Sequence, residues 1–305
     1  MKKHKRLYSL LALGALLLLM SACAPVTSSG GSSLSPGQVL QNSARAMTQL
    51  KSAHFDLKVA SNLLSNTTSV PTTPTPVPNQ VNVNITGSGD ENLPDQQSLQ
   101  INIGQNITGQ NISLSEIAMG NKVYIKNPRG QWYVMDKSVL EGAIGNPLTG
   151  INIDPSSLLN LLQNANITDH GTELLNGQQL RHISASLDKA GLKQLLTSNP
   201  QLSKLFGQQN IDNVIDHAKA FQATVGLWID ETNFYVHRGE LKFNLNEDLS
   251  SLNNSATPGA TPTVTLSGLV ANFDSITNLS NFNQSVTITP PANAIPTDNL
   301  IGIFG

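Results

Sequence analysis

Hydrophobic and polar residues alternate along most of the chain, and this period of two is typical of half-buried β-strands. Phe55, Leu57 and Val59 alternate with Asp56 and Lys58, so the three apolar side chains share one face of the first predicted strand. The same pattern predicts further strands at residues 81–85, 99–103, 112–119, 122–126, 131–135, 222–229, 234–245 and 263–273, with an edge strand at 286–291. The links between the early strands are too short for parallel crossovers, so we expect an antiparallel meander.

A period of 3.6 replaces the alternation in three segments and predicts helices there. Ser35 and Gln38 have the spacing of a capping box, and Pro36 occupies the first helical position. A second helix is predicted to begin at Asp154. A block of helices follows over residues 188–219, where a proline and a glycine break it into short pieces.

The order of these elements predicts the fold class. An Asn-Gly pair at residues 176–177 predicts a hairpin over residues 172–187, between the two later helical segments. The strands are clustered rather than alternating one by one with helices, which is typical of an α+β domain with an antiparallel sheet. We expect the helices to cover the apolar face of that sheet.

Two segments rich in Pro and Thr, residues 65–78 and 255–263, interrupt the strands. Proline lacks the N–H group that a central strand must donate to its neighbour. The sequence therefore predicts that both segments are mobile loops that stay out of the sheet.

The first 23 residues have the pattern of a secretory signal peptide. Four cations precede an apolar run from Leu7 to Met20, which is shorter than the ~20 residues that a membrane-spanning helix needs. Ser21 and Ala22 stand directly before Cys23, and this resembles the lipobox of bacterial lipoproteins, in which the cysteine receives a diacylglycerol. Cys23 is the only cysteine, so an internal disulfide cannot use its thiol.

The lipoprotein interpretation predicts the organisation of the whole chain. Residues 1–22 are then a signal peptide, 23–34 the lipidated cysteine with a flexible tether, 35–291 an α+β domain, and 292–305 a C-terminal tail. The protein is expected outside the cytoplasm, held on the cell membrane by its N-terminal lipid. An ordinary signal peptide or a signal anchor with an incidental cysteine is the alternative.

The charge balance argues against nucleic acid as a partner. Removal of the first 22 residues takes away four of the 18 Lys and Arg residues and none of the 20 Asp and Glu residues, which leaves an acidic chain. Binding to nucleic acid needs a basic surface. Charged residues make up only 12% of the chain, so Asn, Gln, Ser and Thr occupy most polar strand positions.

The sequence carries no motif of a common catalytic or metal site. It has no H-E-x-x-H, no G-x-S-x-G and no phosphate-binding loop. In a regular hairpin around the Asn-Gly turn, His170 would face Ile183 and His182 would face Gly171. The two histidines would then point to opposite faces and could not share a metal. We therefore expect no enzyme, no metal site and no cofactor.

Several stretches, in order along nearly all of the mature chain, resemble the LppX/LprAFG lipoproteins, within the wider group similar to the LolA and LolB lipoprotein carriers. They are LKSAHFDLKVAS, MGNKVYIKNPRGQWYVMD, DPSSLLNLLQNA, GTELLNGQQLRHISASLDKAGLKQLL, VGLWIDETNFYVHRGELKF and VTITPPANAIP. The resemblance implies a strongly curved antiparallel β-sheet, a half-barrel, wrapped on a layer of short α-helices. It also implies an apolar cavity between sheet and helices that receives acyl chains, and no catalytic residue.

The walls of that cavity are expected to come from apolar residues of both layers. Phe55 and Leu57 share a face by strand alternation, whereas Trp132 and Leu227 are placed in the wall by the family resemblance. Ordinary core packing is the alternative for the two tryptophans, Trp132 and Trp228. The helices are expected to contribute Leu159, Leu162, Leu195 and Leu196.

Three functions fit these patterns. The first is a tethered lipoprotein that binds or carries lipids or acylated molecules. The second is an envelope sensor or protein-interaction module that uses the same fold, binds a protein partner and has no transport role. The third is a cell-surface structural protein whose core is filled.

Overall fold

A computed structural model of the chain describes residues 34–68, 80–106, 109, 111–144, 165–198, 215–216, 218–247, 265–299 and 302–303. Within these ranges the helices are α1 (Pro36–Thr48), α2 (Lys137–Ile144) and α3 (Lys189–Ser198). The strands are β1 (Ser52–Thr68), β2 (Gln80–Asn92), β3 (Gln96–Gln105), β4 (Asn111–Met119), β5 (Lys122–Lys126), β6 (Trp132–Asp136), β7 (Asn166–Leu175), β8 (Gln178–Leu187), β9 (Ala218–Ile229), β10 (Val236–Glu247), β11 (Thr265–Ser280) and β12 (Ile295–Pro296).

The twelve strands form one sheet, in the order β12-β6-β5-β4-β3-β2-β1-β11-β10-β9-β8-β7. Strands β1 to β6 form one meander and β7 to β11 another, and the two join where β1 pairs with β11. The pairing is antiparallel throughout, except that β12 pairs with β6 in parallel. The sheet is curved and unclosed, with β12 and β7 at its edges, so the predicted α+β half-barrel with helices is confirmed.

The pairing register defines two faces of this sheet, because cross-strand partners lie on the same face. The core face carries Phe55 and Leu57, and the opposite face carries His54 and Asp56. One row of partners on the core face runs across nine strands, from β4 through β1 and β11 to β7. It consists of Leu114, Ile101, Gly87, Leu57, Thr277, Gly239, Leu227, Ile183 and Asp169. One row on the opposite face runs through Trp132, Lys126, Ser115, Gln100, Ser88, Asp56, Asn278, Arg238, Trp228, His182 and Gly171.

The helices pack on the core face in two separate clusters. Val39 and Leu40 of α1 and Leu192 of α3 pack against β8 and β9 in the first cluster. Leu140 of α2 and Ile303 pack against β3 to β6 in the second cluster. Burying apolar side chains on one face of the sheet is the main source of stability that this arrangement offers.

Two local predictions are confirmed in detail. The Gln38 backbone N–H donates to Ser35 Oγ at 3.3 Å, and the Ser35 N–H donates to Gln38 Oε1 at 2.9 Å, which completes the capping box. The hairpin turn has Asn176 at φ 51° and Gly177 at φ 83°. Positive φ at both central residues is the geometry for which Asn-Gly is favoured.

The prediction that residues 65–78 stay out of the sheet is wrong for the first four of them. Residues 65–68 continue β1 and pair with β11, with a register shift between Asn66 and Thr67. The segment contains no proline before Pro71, so its first residues keep the N–H groups that a strand needs. Residues 69–78 and the loop at 255–263 lie outside the described residues.

The C-terminal edge strand is also misplaced by the sequence pattern. Residues 286–291 are described and are not a strand, and the edge strand is β12 instead. The adjacent Pro290 and Pro291 cannot donate to a neighbour. Ile303, in the segment predicted as a tail, is 2% exposed and belongs to the second cluster.

Helix α2 is an element that the sequence pattern did not predict. It follows β6 without a loop, and its Leu140 is fully buried. With only eight residues, it is too short for a helical period to stand out against the strands before it. The helix predicted to begin at Asp154 lies outside the described residues.

Candidate functional site

The core face brings together three of the four sheet residues that were predicted to line a cavity. Leu57 and Leu227 lie on one cross-strand row, and Phe55 lies on the next row of the same face. Phe55 is 8% exposed and belongs to the second cluster, whereas Leu227 is 6% exposed and belongs to the first. Leu57 is half-buried and lies on the strands between the two clusters.

Trp132 lies on the opposite face, and its predicted position in the cavity wall is corrected by the register. Its cross-strand partner is Lys126, whose Nζ lies 5.9 Å from the centre of the indole ring. The reason is the parity of β6, in which Met135 is 2% exposed and packs in the second cluster. Because side chains alternate between faces along a strand, Trp132 must point away from that core.

The helical residues of the predicted site lie partly or wholly outside the described part of the chain. Leu195 and Leu196 lie in α3, but their side chains are outside the described part of the chain. Leu159, Leu162 and the predicted lipid-attachment residue Cys23 also lie outside the described residues. Their roles stay predictions.

Glu116 is a buried carboxyl on the core face that sequence reasoning missed. It is 2% exposed, and neither of its carboxylate oxygens has a hydrogen-bond partner in the described structure. Burial raises the pKa of Glu116 to about 8, against the lowering effect of the Lys137 charge. The sequence signal for its burial was its position in the strand, since Glu116 lies two residues from each of the buried Leu114 and Ala118 and so shares their face.

The prediction that His170 and His182 point to opposite faces is wrong. Gly171 pairs with His182 as expected, but the next pair is Asp169 with Ile183. His170 is therefore the extra residue of a β-bulge, which re-aims a side chain. Its ring stacks on that of His182, with the centroids 4.2 Å apart.

The stack continues to Trp228 and Arg238 on the opposite face. The His182 ring lies 4.0 Å from the Trp228 ring at an interplanar angle of 11°, and Arg238 Cζ lies 5.6 Å from the Trp228 ring centre. Glu173 contacts His182 Nδ1 at 2.9 Å and accepts from Trp228 Nε1 at 3.0 Å. These hydrogen bonds lower the pKa of Glu173 and orient the stack. Trp228 is consequently only 8% exposed.

Two hollows open on the opposite face. The amide hollow, of about 550 Å³, spans β2, β1, β11, β10 and β9 and is lined by six carboxamides, namely Asn62, Asn82, Asn84, Gln222, Asn244 and Asn272. The tryptophan hollow, of about 340 Å³, lies beside Trp132, His54 and Asp90. In the second hollow His54 Nδ1 contacts Asp90 Oδ1 at 2.8 Å. The alternation of Asn with apolar residues in β2 was the sequence signal for the first.

Within the described ranges, no group of three or more His, Cys, Asp or Glu residues is placed to hold a metal ion. The helices in those ranges are also all too short or too polar to cross a membrane. The titratable groups that stand out are the buried Glu116 and the Glu173 of the aromatic stack.

No family model matches the sequence, and none of the curated proteins matches it. Among solved structures, the chain is similar to LprF from Mycobacterium bovis, with 19% identity and a TM-score of 0.41, over 84% of this chain and 96% of that one. It is similar to the lipoprotein LppX of Mycobacterium tuberculosis, with 15% identity and a TM-score of 0.36, over 84% and 100%. A putative outer membrane lipoprotein-sorting protein domain from Vibrio parahaemolyticus has 9% identity and a TM-score of 0.24, over 81% and 93%. The names of the first two of these structures fall in the lipoprotein group that the sequence resembles.

Proposed function

We propose that the protein is a membrane-anchored, extracytoplasmic lipoprotein that binds or carries lipids or acylated molecules on the core face of its sheet. The observation that carries this proposal is the position of Leu57 between the two helix-covered clusters. Phe55 and Leu227 are buried within those clusters, whereas Leu57 between them is only half-buried. We call the part of the core face from Phe55 past Leu57 to Leu227 the Leu57 strip. Acyl chains bind in concave, largely apolar sites, and the apolar side chains of this strip suit such a site.

The neighbouring residues of the strip support the same ligand class. Leu241 and Phe243 of β10 are partly buried hydrophobic residues that pack against the first cluster. Glu116 on the same face is mostly uncharged at neutral pH, because its pKa is raised to about 8. A face with apolar side chains and a neutral carboxyl favours an uncharged chain over a polar ligand.

The membrane anchor in this proposal is a diacylglycerol on Cys23. Its support is the sequence pattern of an apolar run followed by Ser21, Ala22 and Cys23. Replacing Cys23→Ser should abolish metabolic labelling with a radioactive fatty acid and release the protein from the membrane fraction. Labelling that persists in the variant would instead favour a retained signal anchor.

Photo-crosslinking in cells tests ligand binding with the full chain. Cells expressing the protein are given a diazirine-bearing fatty acid, irradiated, and the labelled peptides are identified by mass spectrometry. We expect labels on peptides at Leu57 and Leu227, because these residues share the core face. A fatty acid attached to Cys23 would also be labelled, and the Cys23→Ser variant shows which label comes from that residue.

A matched pair of substitutions on β1 locates the ligand. Leu57→Trp adds volume on the core face, and Lys58→Trp adds the same ring one residue later on the opposite face. We expect Leu57→Trp to lose the cross-links and Lys58→Trp to keep them. Equal labelling in both variants, or labels confined to the opposite face, would contradict the proposal. Recovery of one stoichiometric envelope protein without lipid would favour the alternative, a sensor or interaction module without a transport role.

A further inference from the structure

The amide hollow has a lining unlike that of the core face. It is formed by two adjacent cross-strand rows, one through Asn62 and the other through Ala60. The row through Asn62 consists entirely of carboxamides, from Asn82 on β2 to Gln222 on β9. The small side chain of Ala60 leaves the space above the middle of the other row open. The result is a carboxamide-lined depression of about 550 Å³, within the usual ~300–1,000 Å³ of ligand sites.

The carboxamides of the hollow are held in place by one another. Asn62 Nδ2 donates to Asn82 Oδ1, and Asn244 Nδ2 donates to Asn272 Oδ1. Each carboxamide has two N–H donors and an acceptor oxygen, so one such bond does not exhaust its capacity. The hollow therefore presents donors and acceptors side by side in a fixed arrangement.

Asp274, in the row through Ala60, supplies an acceptor that lacks a donor. Its Oδ1 is buried and has no hydrogen-bond partner in the described structure. The adjacent Lys242 does not donate to this oxygen, and its Nζ forms an ion pair with Glu240. A buried acceptor without a donor is costly unless water or a ligand supplies the hydrogen.

The charges of the lining select against ionic ligands. Lys242 and Asp274 are the two ionisable residues among those that line the hollow, and their charges are opposite. An anion would meet Asp274, and a cation would meet Lys242, so the hollow offers neither sign a net attraction. An acyl chain would leave the remaining donors and acceptors of the carboxamides without partners.

We propose that the amide hollow binds a neutral oligosaccharide. Each sugar hydroxyl is both a donor and an acceptor, which matches a carboxamide lining, and a hydroxyl can donate to the Asp274 carboxylate that lines the hollow in a charge-assisted hydrogen bond. The site lies on the face opposite the Leu57 strip. Glycan binding is therefore independent of acyl-chain binding, and either proposal can fail without the other.

Saturation-transfer NMR with the full chain in phospholipid nanodiscs tests this site. One sample contains maltohexaose in solution, and another has a glucosylated diacylglycerol in the nanodisc lipid. Signal transfer to the sugar protons in either sample supports the hollow as a hexose site. The sample that responds tells whether the sugar is free or carried on a lipid.

Three variants locate the binding. Ala60→Leu fills the floor of the hollow and should abolish the signal transfer. Asp274→Asn keeps the size of the side chain but removes its charge, and should weaken binding about tenfold or more. Thr86→Leu is the matched control, since Thr86 is exposed on the same face of β2, two residues from Asn84. It should bind like the unmodified protein.

Three results would overturn the proposal. The first is no transfer to either sugar at millimolar concentration. The second is tighter binding of oligogalacturonate or of a chitosan oligomer than of maltohexaose, since the lining should disfavour both charges. The third is an equal loss in Ala60→Leu and Thr86→Leu. Acyl cross-linking, which is measured on the same variants, should be unchanged in all three.

Discussion

The imidazole rings of His170 and His182 stack with their centroids 4.2 Å apart and their planes inclined by 21°. The contact exists because His170 is the extra residue of a β-bulge in β7, which turns its side chain to the face that His182 occupies. His182 in turn covers the ring of Trp228. A single inserted residue thus places His170 on the aromatic stack on the opposite face of the sheet.

This stack predicts the behaviour of Trp228. Replacing His182→Ala should expose the indole and shift its fluorescence emission to longer wavelength, since Trp228 is now 8% exposed under the imidazole. We expect a loss of about 1 kcal/mol in the free energy of unfolding. Ser186→Ala is the control, on the same face of β8 and exposed. Unchanged emission in His182→Ala would show that the ring contact does not shield Trp228.

Glu116 predicts how stability depends on pH. Because its pKa is raised from 4.5 to about 8, the folded state holds a proton that the unfolded state releases between these values. The free energy of unfolding should therefore fall as pH rises through this window, by about 2–4 kcal/mol. In Glu116→Gln most of this fall should disappear, with a smaller part kept by Glu91, whose pKa burial also raises.

The charge of Lys137 provides a check on this assignment. It lowers the pKa of Glu116, so Lys137→Met should raise that pKa further and extend the pH-dependent fall to higher pH. Denaturant unfolding of the three proteins between pH 5 and pH 9 measures both effects. A pH dependence in Glu116→Gln as steep as in the unmodified protein would contradict the assignment.

Gly89 is predicted to tolerate no side chain. A Cβ at this position would lie 2.1 Å from the Ser98 carbonyl oxygen and 2.7 Å from Phe55 Cζ. Gly89→Ala should lower the free energy of unfolding by about 2–3 kcal/mol, through displacement of Phe55 and of the β2–β3 pairing. Gly87→Ala is the matched control, since its Cβ would lie 3.3 Å from the Gln100 carbonyl oxygen. Equal stability of the two variants would contradict this prediction.

Ile303 predicts that the C-terminal residues contribute to the core. Ile303→Ala should lower the free energy of unfolding by about 2–4 kcal/mol, because the side chain is 2% exposed in the second cluster. Ile295→Ala serves as control with 46% exposure, and should change stability by about 0.5 kcal/mol or less. If both variants unfold at the same denaturant concentration, residues beyond β12 do not stabilise the domain.

The sequence by itself determined most of the strands, the capping box and the hairpin turn, and the shared face of Phe55 and Leu57. Alternation placed Phe55 and Leu57 on one face, and the capping box at Ser35 and the Asn-Gly turn at residues 176–177 formed as predicted. These features depend on residues close together in the chain, where periodicity and backbone preferences act directly. The α+β class followed from their order.

Only the tertiary structure decided what depends on partners far apart in the chain. The bulge at His170 reversed the predicted facing of one side chain, and the burial of Met135 turned Trp132 away from the core. Strand lengths, the pairing of β1 with β11 and the position of β12 likewise depend on which strands become neighbours. Glu116 is buried by the same assembly, because the alternation of β4 places it on the core face whatever its polarity. Local pattern assigns a residue to a face, and long-range packing decides what that face meets.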